Sequence, residues 1–365
     1  MDVLKYEEKA IFSLRALYQT YGYAQYKMSK FEEYDLYVRN KNFLVSDHII
    51  TFTDTDGKLM ALKPDVTLSI IKNSKDITDS VQKVYYNENV YRVSKGTHSF
   101  KEIMQVGLEC LGAVDSYCIF EVLKLACESL ALISSDFVLD LSNLDIIAEV
   151  IDSLGVSDQA RKNLLTCVGE KNLHSISAIC AEEGVDGSSL RRLVSTYGVP
   201  AEVLPVLHEI VPESPAVAQL ETVLQALAHS GADANVRIDF SVVGDMNYYN
   251  GFVFKGFISG VASGVLSGGQ YDNLMDKMGR KSRAIGFAVY LDLLEQLCET
   301  DREYDVDAVI LYDDGADLAA LFDAHKLLTS SGMRVTVQKS LPEKLRYKQL
   351  LKLQERGVEI IENHA

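Results

Sequence analysis

Hydrophobic and polar residues alternate with period two in two runs in the first third of the chain. In the first run, the residues that share one face are Val84, Tyr86, Glu88, Val90 and Arg92. In the second run, the apolar face consists of Met104, Val106, Leu108 and Cys110. This period is typical of half-buried strands. The polar stretch 93–99 contains Gly, Ser and Thr, so we predict a hairpin with a long loop.

The opposite face of the second run carries Gln105, Gly107 and Glu109 beside Ile103. Two interpretations fit this pattern. The face can be an ordinary solvated surface. It can also be the floor of a ligand site, because Gln and Glu offer hydrogen bonds and Gly lets a ligand or a backbone come close. The spacing alone leaves both interpretations open.

The preceding segment predicts a helix over 4–21, which Gly22 ends, and a hairpin with strands 48–53 and 59–63. A short helix is then predicted to begin near 63–67. Asp65 and Thr67 fall in its first turn, where side-chain oxygens satisfy free N–H groups. Capping explains both residues, and a role in ligand binding stays open.

The remaining pattern predicts helices and strands in alternation. Asp115 is placed to cap a helix that continues to 133, and a strand follows at 137–141. Residues 143–230 are amphipathic segments separated by glycines, which indicates an all-helical region. A strand is predicted at 236–243. After a linker at 300–304, the pattern predicts strand 308–312, helix 316–328, strand 334–338, helix 343–355 and strand 358–361, a small unit with parallel strands.

Composition narrows the partners and the compartment. The 365 residues allow two or three domains. The net charge of −16 argues against a nucleic-acid partner, since such binding depends on Lys and Arg at phosphates. No apolar run is long enough for a membrane span, and the acidic N-terminus has no signal-peptide pattern. The six scattered cysteines indicate reduced thiols in a cytoplasmic protein, with no disulfide framework and no metal site.

An ordered set of short motifs resembles the class II aminoacyl-tRNA synthetases, specifically the histidyl branch. Tyr91-Arg92 with Gln105, Gly107 and Glu109 resembles motif 2. The segment 63–67 resembles the Arg-Pro-Glu-x-Thr run of that branch, with the shorter acid Asp65. Gly22-Tyr23 resembles the motif 1 region. The second histidine-specific signature is matched by Met246, Tyr248, Tyr249 and Gly251. The run that follows this signature is matched by 267–272, and motif 3 is matched by 284–288.

The resemblance implies an α+β fold: a class II synthetase-like antiparallel sheet flanked by helices, with a helical insertion and a small C-terminal α/β domain. The synthetase-like domain would comprise 1–142 and 231–300, and the insertion 143–230. Residues 305–365 resemble a shortened anticodon-binding domain. In this family the motif 1 region builds a dimer, although its usual proline falls on Ser29 here.

The resemblance also implies a histidine site. In the family, the acid and the threonine at Asp65 and Thr67 hold the amino group of the amino acid. Arg92 is the candidate partner of the carboxylate, because its planar fork suits bidentate pairing. Glu109 and Gln105 are candidate hydrogen-bonding partners. Tyr248 or Tyr249 would form an aromatic wall, although neighbours on a strand point to opposite faces, so one of the two can be a core residue.

The cations for adenylate formation are depleted, because two arginines of the family fall on Gly244 and Leu293, and Ser94 replaces a motif 2 glutamate. A chain that keeps the amino-acid-binding positions but lacks these cations resembles the regulatory subunits of short-form ATP phosphoribosyltransferases, which act in the first step of histidine biosynthesis. That resemblance implies a non-catalytic chain without a cofactor, whose partners are a short catalytic subunit and a second copy within a hetero-oligomer. Its effector is histidine, bound in the synthetase-like pocket or at a subunit junction.

Two other functions remain alternatives. One is an active histidyl-tRNA synthetase, against which the missing arginines, the acidity and the short C-terminal unit argue. The other is a synthetase-like accessory module that binds RNA or protein without a histidine role, against which the retained pocket residues argue.

Overall fold

The computed structural model describes residues 6–40, 49–93, 99–244, 248–297, 303–354 and 357–364. The chain divides into two compact units, of which the larger is Lys5–Leu297 and the smaller combines Met1–Leu4 with Cys298–Ala365. No helix among the described residues is both long and apolar enough to cross a membrane.

The described part of the larger unit contains strands and helices in a mixed order. Its strands are β1 Ala24–Gln25, β2 Phe31–Glu33, β3 Thr51–Thr53, β4 Leu59–Leu62, β5 Val81–Val93, β6 Phe100–Gly112, β7 Phe137–Asn143, β8 Tyr197–Gly198, β9 Val236–Asp239, β10 Asn250–Ile258, β11 Leu266–Gln270 and β12 Arg283–Tyr290. Its helices are α1 Tyr6–Thr20, α2 Tyr34–Arg39, α3 Thr67–Asn73, α4 Ser116–Ile133, α5 Leu144–Ser153, α6 Asp158–Gly169, α7 Leu173–Glu182, α8 Ser188–Ser195, α9 Pro200–Ile210, α10 Pro215–Ser230 and α11 Asp272–Lys277.

The main sheet has nine strands in the order β1-β5-β6-β12-β11-β10-β7-β9-β8. Only the pairs β1–β5 and β7–β9 are parallel within this sheet. The predicted hairpin is confirmed: β5 and β6 pair antiparallel, and Val84 lies opposite Glu109. The predicted, mainly antiparallel sheet is therefore confirmed.

The two faces of this sheet have different coverings. Helices α1 and α4 cover one face, where Leu14 and Leu130 pack with Leu108 and Phe254 in the main core. Burial of each such side chain stabilises the fold by roughly 1.5–3 kcal/mol. On the other face, helices α3 and α11 and the small sheet β2-β4-β3 form a second apolar cluster. This second face carries the side chains that line the candidate site.

Several predicted boundaries shift in the structure. The strand predicted at 48–53 is β3, which begins at Thr51, and residue 48 lies outside the described residues. The strand predicted at 236–243 ends at Asp239, because the carboxylate of Asp239 accepts the N–H and the hydroxyl of Ser241 and turns the chain. The helix capped by Asp115 ends at Ile133 as predicted.

Helices α5 to α10 follow one another through the region predicted as all-helical, interrupted only by the two-residue strand β8 in the described chain. Two of them begin with a proline at the first turn, at Pro200 and Pro215, where the missing N–H costs no helical hydrogen bond.

The smaller unit contains β13 Val306–Leu311, α12 Leu318–Ser330, β14 Val335–Gln338, β15 Tyr347–Gln354 and β16 Gly357–Asn363. The helix predicted at 343–355 is wrong, because this segment forms β15. Strand β15 pairs parallel with β13 and antiparallel with β16. Helix-favouring residues are overridden here because β15 pairs the free edge of β13 and buries Leu350 and Leu351.

Gly286 on β12 allows the strands under the candidate site to pack closely. A methyl group at Gly286 would collide with the carboxylate of Glu109 and the carbonyl of Leu108. We therefore expect Gly286→Ala to lower the free energy of unfolding by about 1–3 kcal/mol in chemical denaturation. The control is Gly264→Ala, whose methyl group has the flexible Lys255 side chain as its nearest neighbour. Equal effects of the two substitutions would contradict this packing.

Candidate functional site

A cavity of about 220 Å³ opens on the second face of the main sheet. This volume is below the range of about 300–1,000 Å³ that is usual for drug-sized ligands, so the cavity suits a small metabolite. Seven residues that the sequence nominated line this one cavity: Asp65, Thr67, Arg92, Gln105, Glu109, Tyr248 and Tyr249. They come from four separate stretches of the chain, which the hairpin β5–β6, helix α3 and the segment before β10 bring together.

Glu109 lies at the bottom of the cavity and is almost fully buried. Its carboxylate accepts hydrogen bonds from the Thr67 hydroxyl at 2.9 Å and from the Tyr271 hydroxyl at 2.6 Å. Burial raises the pKa of Glu109 to about 8, and nearby Asp65 adds to the rise, although both hydroxyls act in the opposite direction. Desolvation therefore outweighs two hydrogen bonds, and the carboxyl is poised to change its charge near neutral pH.

Asp65 contacts the first turn of α3 and is also exposed to the cavity. Its carboxylate accepts the N–H of Leu68 at 2.9 Å in the first turn of α3, and the residue also lines the cavity. Burial raises the pKa of Asp65, while the Leu68 N–H and the charge of Arg92 oppose the rise. The hydroxyl of Thr67 is not used for capping, since it donates to Glu109 across the cavity wall.

Arg92 is the one cationic side chain among the described residues that line the cavity. Its Nε donates to the carbonyl of Pro64 at 3.0 Å, which fixes the guanidinium group against the start of α3. Lys63 is nearby in sequence but is fully buried and paired with Glu88 at 2.9 Å. The sequence places Lys63 in a motif but does not identify Glu88 as its partner, although Glu88 shares a strand face with Arg92.

The two tyrosines before β10 both face the cavity, with ring centroids 4.6 Å apart. Because β10 begins at Asn250, the alternation of strand neighbours does not apply to these two residues. Tyr248 belongs to the second apolar cluster and Tyr249 packs against it, while both also line the cavity, so the core and the ligand-binding interpretations both stay open. The ring of Tyr248 also lies 5.8 Å from that of Tyr271. Burial raises the pKa of Tyr248 well above its usual value, so it remains a hydroxyl donor.

Three lining tyrosines were not nominated from the sequence: Tyr86, Tyr271 and Tyr290. A signal existed for two of them. Tyr86 shares the period-two face of Arg92, and Tyr271 lies in the run that resembles Gly-Gly-Arg-Tyr-Asp. Tyr86 pairs with Gly107, where a methyl group would collide with the Tyr86 hydroxyl and a backbone carbonyl. Close packing of the strands therefore requires a glycine at position 107, which is not among the residues that line the cavity.

The positions that match the two missing arginines carry no charge. Gly244 lines the cavity with a φ of +58°, and a methyl group there would lie 2.8 Å from the ring of Tyr249. Leu293 packs against the main apolar core. Ser94 lies outside the described residues. The described cavity wall thus combines two carboxyl groups and five tyrosines with one arginine.

This arrangement can bind a small zwitterion. The carboxyl groups accept from an ammonium or a ring N–H, and Arg92 offers a planar donor to a carboxylate. The amide of Gln105 is buried and opens on the same space. Within the described parts of the chain, no group of three or more His, Cys, Asp or Glu side chains is placed to hold a metal ion.

Known proteins resemble this chain in sequence and in fold. A curated relative from Oceanobacillus iheyensis, named ATP phosphoribosyltransferase regulatory subunit, is 26% identical over 302 residues, covering 80% of this chain and 74% of the relative. A solved ATP phosphoribosyltransferase regulatory subunit/histidyl-tRNA synthetase from Bacillus halodurans superposes with a TM-score of 0.76 at 21% identity, with 96% of each chain covered.

A chain of the ATP phosphoribosyl transferase complex from Thermotoga maritima superposes with a TM-score of 0.64 at 18% identity, over 80% of this chain and 98% of that one. At such identities the two structural likenesses show the fold. The family model for histidyl-tRNA synthetase matches residues 2–294. Because this match spans most of the sequence, the chain belongs to the histidyl-tRNA synthetase family.

Proposed function

We propose that this chain is the regulatory subunit of a short-form ATP phosphoribosyltransferase and that its cavity binds histidine as the feedback effector. The observation that carries the proposal is the composition of the cavity. Acceptors for an amino acid are kept at Asp65 and Glu109, whereas the positions of two catalytic arginines are Gly244 and Leu293. The regulatory-subunit name of the Oceanobacillus relative supports the same role.

The proposed pose assigns one part of histidine to each polar wall. Asp65 and Thr67, at the start of α3, receive the ammonium group. Arg92 pairs with the carboxylate through the guanidinium nitrogens other than Nε, which donates to the Pro64 carbonyl. Glu109 and the surrounding tyrosine hydroxyls contact the imidazole, and Gln105 adds a neutral hydrogen bond.

A non-catalytic role follows from electrostatics. Adenylate formation places developing negative charge on phosphates, and preorganised donors must meet it. Losing one such donor typically costs about 10²–10³ in rate, and two family cations are absent here. The alternative is histidyl-tRNA synthetase activity, which the family assignment keeps in view. The two functions differ in one property: a synthetase forms histidyl adenylate from histidine and ATP, and a regulatory subunit does not.

The proposed partners are a separate catalytic subunit, which transfers phosphoribosyl to ATP, and a second copy of this chain, all in the cytoplasm. A dimer is supported by apolar side chains exposed on the small sheet β2-β4-β3. Phe31, Phe52 and Leu59 are 46%, 37% and 48% exposed, and the first two rings pack edge to face at 5.1 Å. Residues 305–365 would serve as a shortened counterpart of an anticodon-binding domain.

The carboxylate pairing at Arg92 can be tested by changing the ligand and the residue together. Wild type should bind histidine more tightly than histidinol, which lacks the carboxylate, by about 1.5–3 kcal/mol, since hydrogen bonds to charged groups are worth that much. In Arg92→Gln this preference should disappear in calorimetric titrations. The exposed Arg39→Gln is the control, and an unchanged preference in Arg92→Gln would exclude the assignment.

The raised pKa of Glu109 predicts a proton linkage. The empty site holds a proton on Glu109 below pH 8, because its pKa is about 8. In the proposed pose Glu109 accepts an N–H of the imidazole, and a hydrogen bond to the carboxylate form lowers its pKa, so binding releases a proton and the affinity rises with pH up to about 8. Calorimetry at pH 7.5 in buffers of different ionisation enthalpy should show release of at most roughly 0.8 proton per histidine, which is the fraction of empty sites that hold the proton at that pH.

Glu109→Gln should abolish this release and weaken histidine binding by about 1–3 kcal/mol, because a buried partner is left without its match. Glu102→Gln, an exposed acid on the same strand, should leave both quantities unchanged. Equal proton release in wild type and Glu109→Gln would place the titrating group elsewhere.

Reconstitution with the catalytic subunit of the same organism tests the whole function. The purified chain should assemble with that subunit, raise its activity and make it sensitive to histidine. Glu109→Gln and Arg92→Gln should assemble and activate normally but require several-fold more histidine for inhibition. No histidine-dependent ATP–pyrophosphate exchange is expected. Robust exchange would instead assign the synthetase function, and failure to assemble would refute the regulatory one.

A further inference from the structure

Lys171 adopts a backbone conformation that normally belongs to glycine. Its φ is +52°, and it is the one non-glycine residue with a positive φ within the described chain. The hydrogen bonds from Lys171 N to the Val168 carbonyl and from Asn172 N to the Cys167 carbonyl are those of a Schellman helix end after α6. Glycine is preferred at this position because a side chain is strained there. A lysine at this place therefore points to a use for its side chain.

The side chain of Lys171 forms an ion pair outside the helical region. Its Nζ lies 2.8 Å from Oδ2 of Asp239 at the end of β9, and 5.4 Å from the ring centre of Tyr197. The carboxylate of Asp239 is 8% exposed, whereas the lysine side chain is 49% exposed. A buried carboxylate without its cation is costly, so the ammonium group holds Asp239 in place.

Asp239 in turn shapes the segment that leads to the cavity. Its other oxygen, Oδ1, accepts from the backbone N–H of Ser241 at 2.9 Å and from the Ser241 hydroxyl at 2.7 Å. One carboxylate oxygen of Asp239 therefore contacts Lys171 of the helical region, and the other contacts Ser241 of this segment. The turn at Ser241 directs the chain away from β9 and towards the tyrosines that precede β10.

Two close contacts join helix α6 to the segment 239–244 and this segment to the cavity wall. A methyl group on Gly169, at the end of α6, would lie 2.7 Å from a methyl carbon of Val243, so helix and segment touch directly. A methyl group on Gly244 would lie 2.8 Å from the ring of Tyr249, so the segment also touches the cavity wall. Packed contacts therefore run from α6 through the segment 239–244 to Tyr249.

We propose that Lys171 is a positioning residue: through Asp239 it sets the segment 239–244, and thereby Tyr249, so that the helical region controls the affinity of the cavity for histidine. The ligand part of this inference rests on the proposed function. Any partner that shifts the α6–α7 turn would change histidine affinity, and bound histidine would change that partner's affinity by the same factor.

Two substitutions of Lys171 separate positioning from stability. Lys171→Gly and Lys171→Met both remove the ammonium group, but only glycine also relieves the strained backbone. The thermal midpoints of the two variants should therefore differ, with the glycine variant the more stable. Both should nevertheless weaken histidine binding to a similar extent, about three- to tenfold in calorimetry. Arg161→Met is the control, since it removes an ion pair with Asp152 that does not involve the segment.

Hydrogen–deuterium exchange provides a readout that does not depend on histidine. Amides of residues 240–244, 248 and 249 should exchange several-fold faster in both Lys171 variants than in wild type and in Arg161→Met. Unchanged exchange there would overturn the inference, as would histidine affinities that follow the thermal midpoints. If wild type binds no histidine, the proposed function fails, and the exchange measurement alone decides whether Lys171 positions the segment.

Discussion

The candidate site depends on one buried carboxyl group. Glu109 lies beneath the cavity, with the hydroxyls of Thr67 and Tyr271 on its two oxygens and the backbone of Gly286 packed against it. Helix α3, strand β6 and the chain after β11 must all be in place to form these contacts. A buried carboxyl without such partners would carry a large desolvation cost, so folding of the sheet and formation of the site are coupled.

Much of the architecture could be predicted from the sequence because the strands around the site alternate strictly. Val106, Leu108 and Cys110 face the apolar core, and Glu109 must then face the opposite side. The hairpin β5–β6 follows from this period and from the polar stretch 93–99 between the two runs. The sequence could not show that Gly107 lies against Tyr86, since that contact depends on the pairing register of two strands. The side-chain roles at the site were therefore less predictable than the strands.

The errors share a physical cause. The segment 343–355 contains residues that favour a helix, but β13 offers a free edge that β15 pairs. Strand β9 ends early because Asp239 bonds to Ser241 and to Lys171, and the second partner is distant in sequence. In each case a long-range contact decides between local alternatives of similar energy. Local pattern can nominate such segments but cannot rank their partners.

The charges of the described cavity wall fit the proposed regulatory role. A catalytic site must pay for holding several cations near a nucleotide, whereas a sensor needs only to discriminate its ligand. Here one arginine faces two carboxyl groups whose pKa values burial raises, so ligand charge and site charge are strongly coupled. A ligand can shift an assembly only by its difference in affinity between two states. A site with poised carboxyl groups, connected by packed contacts to the helical region, has the features such a difference requires.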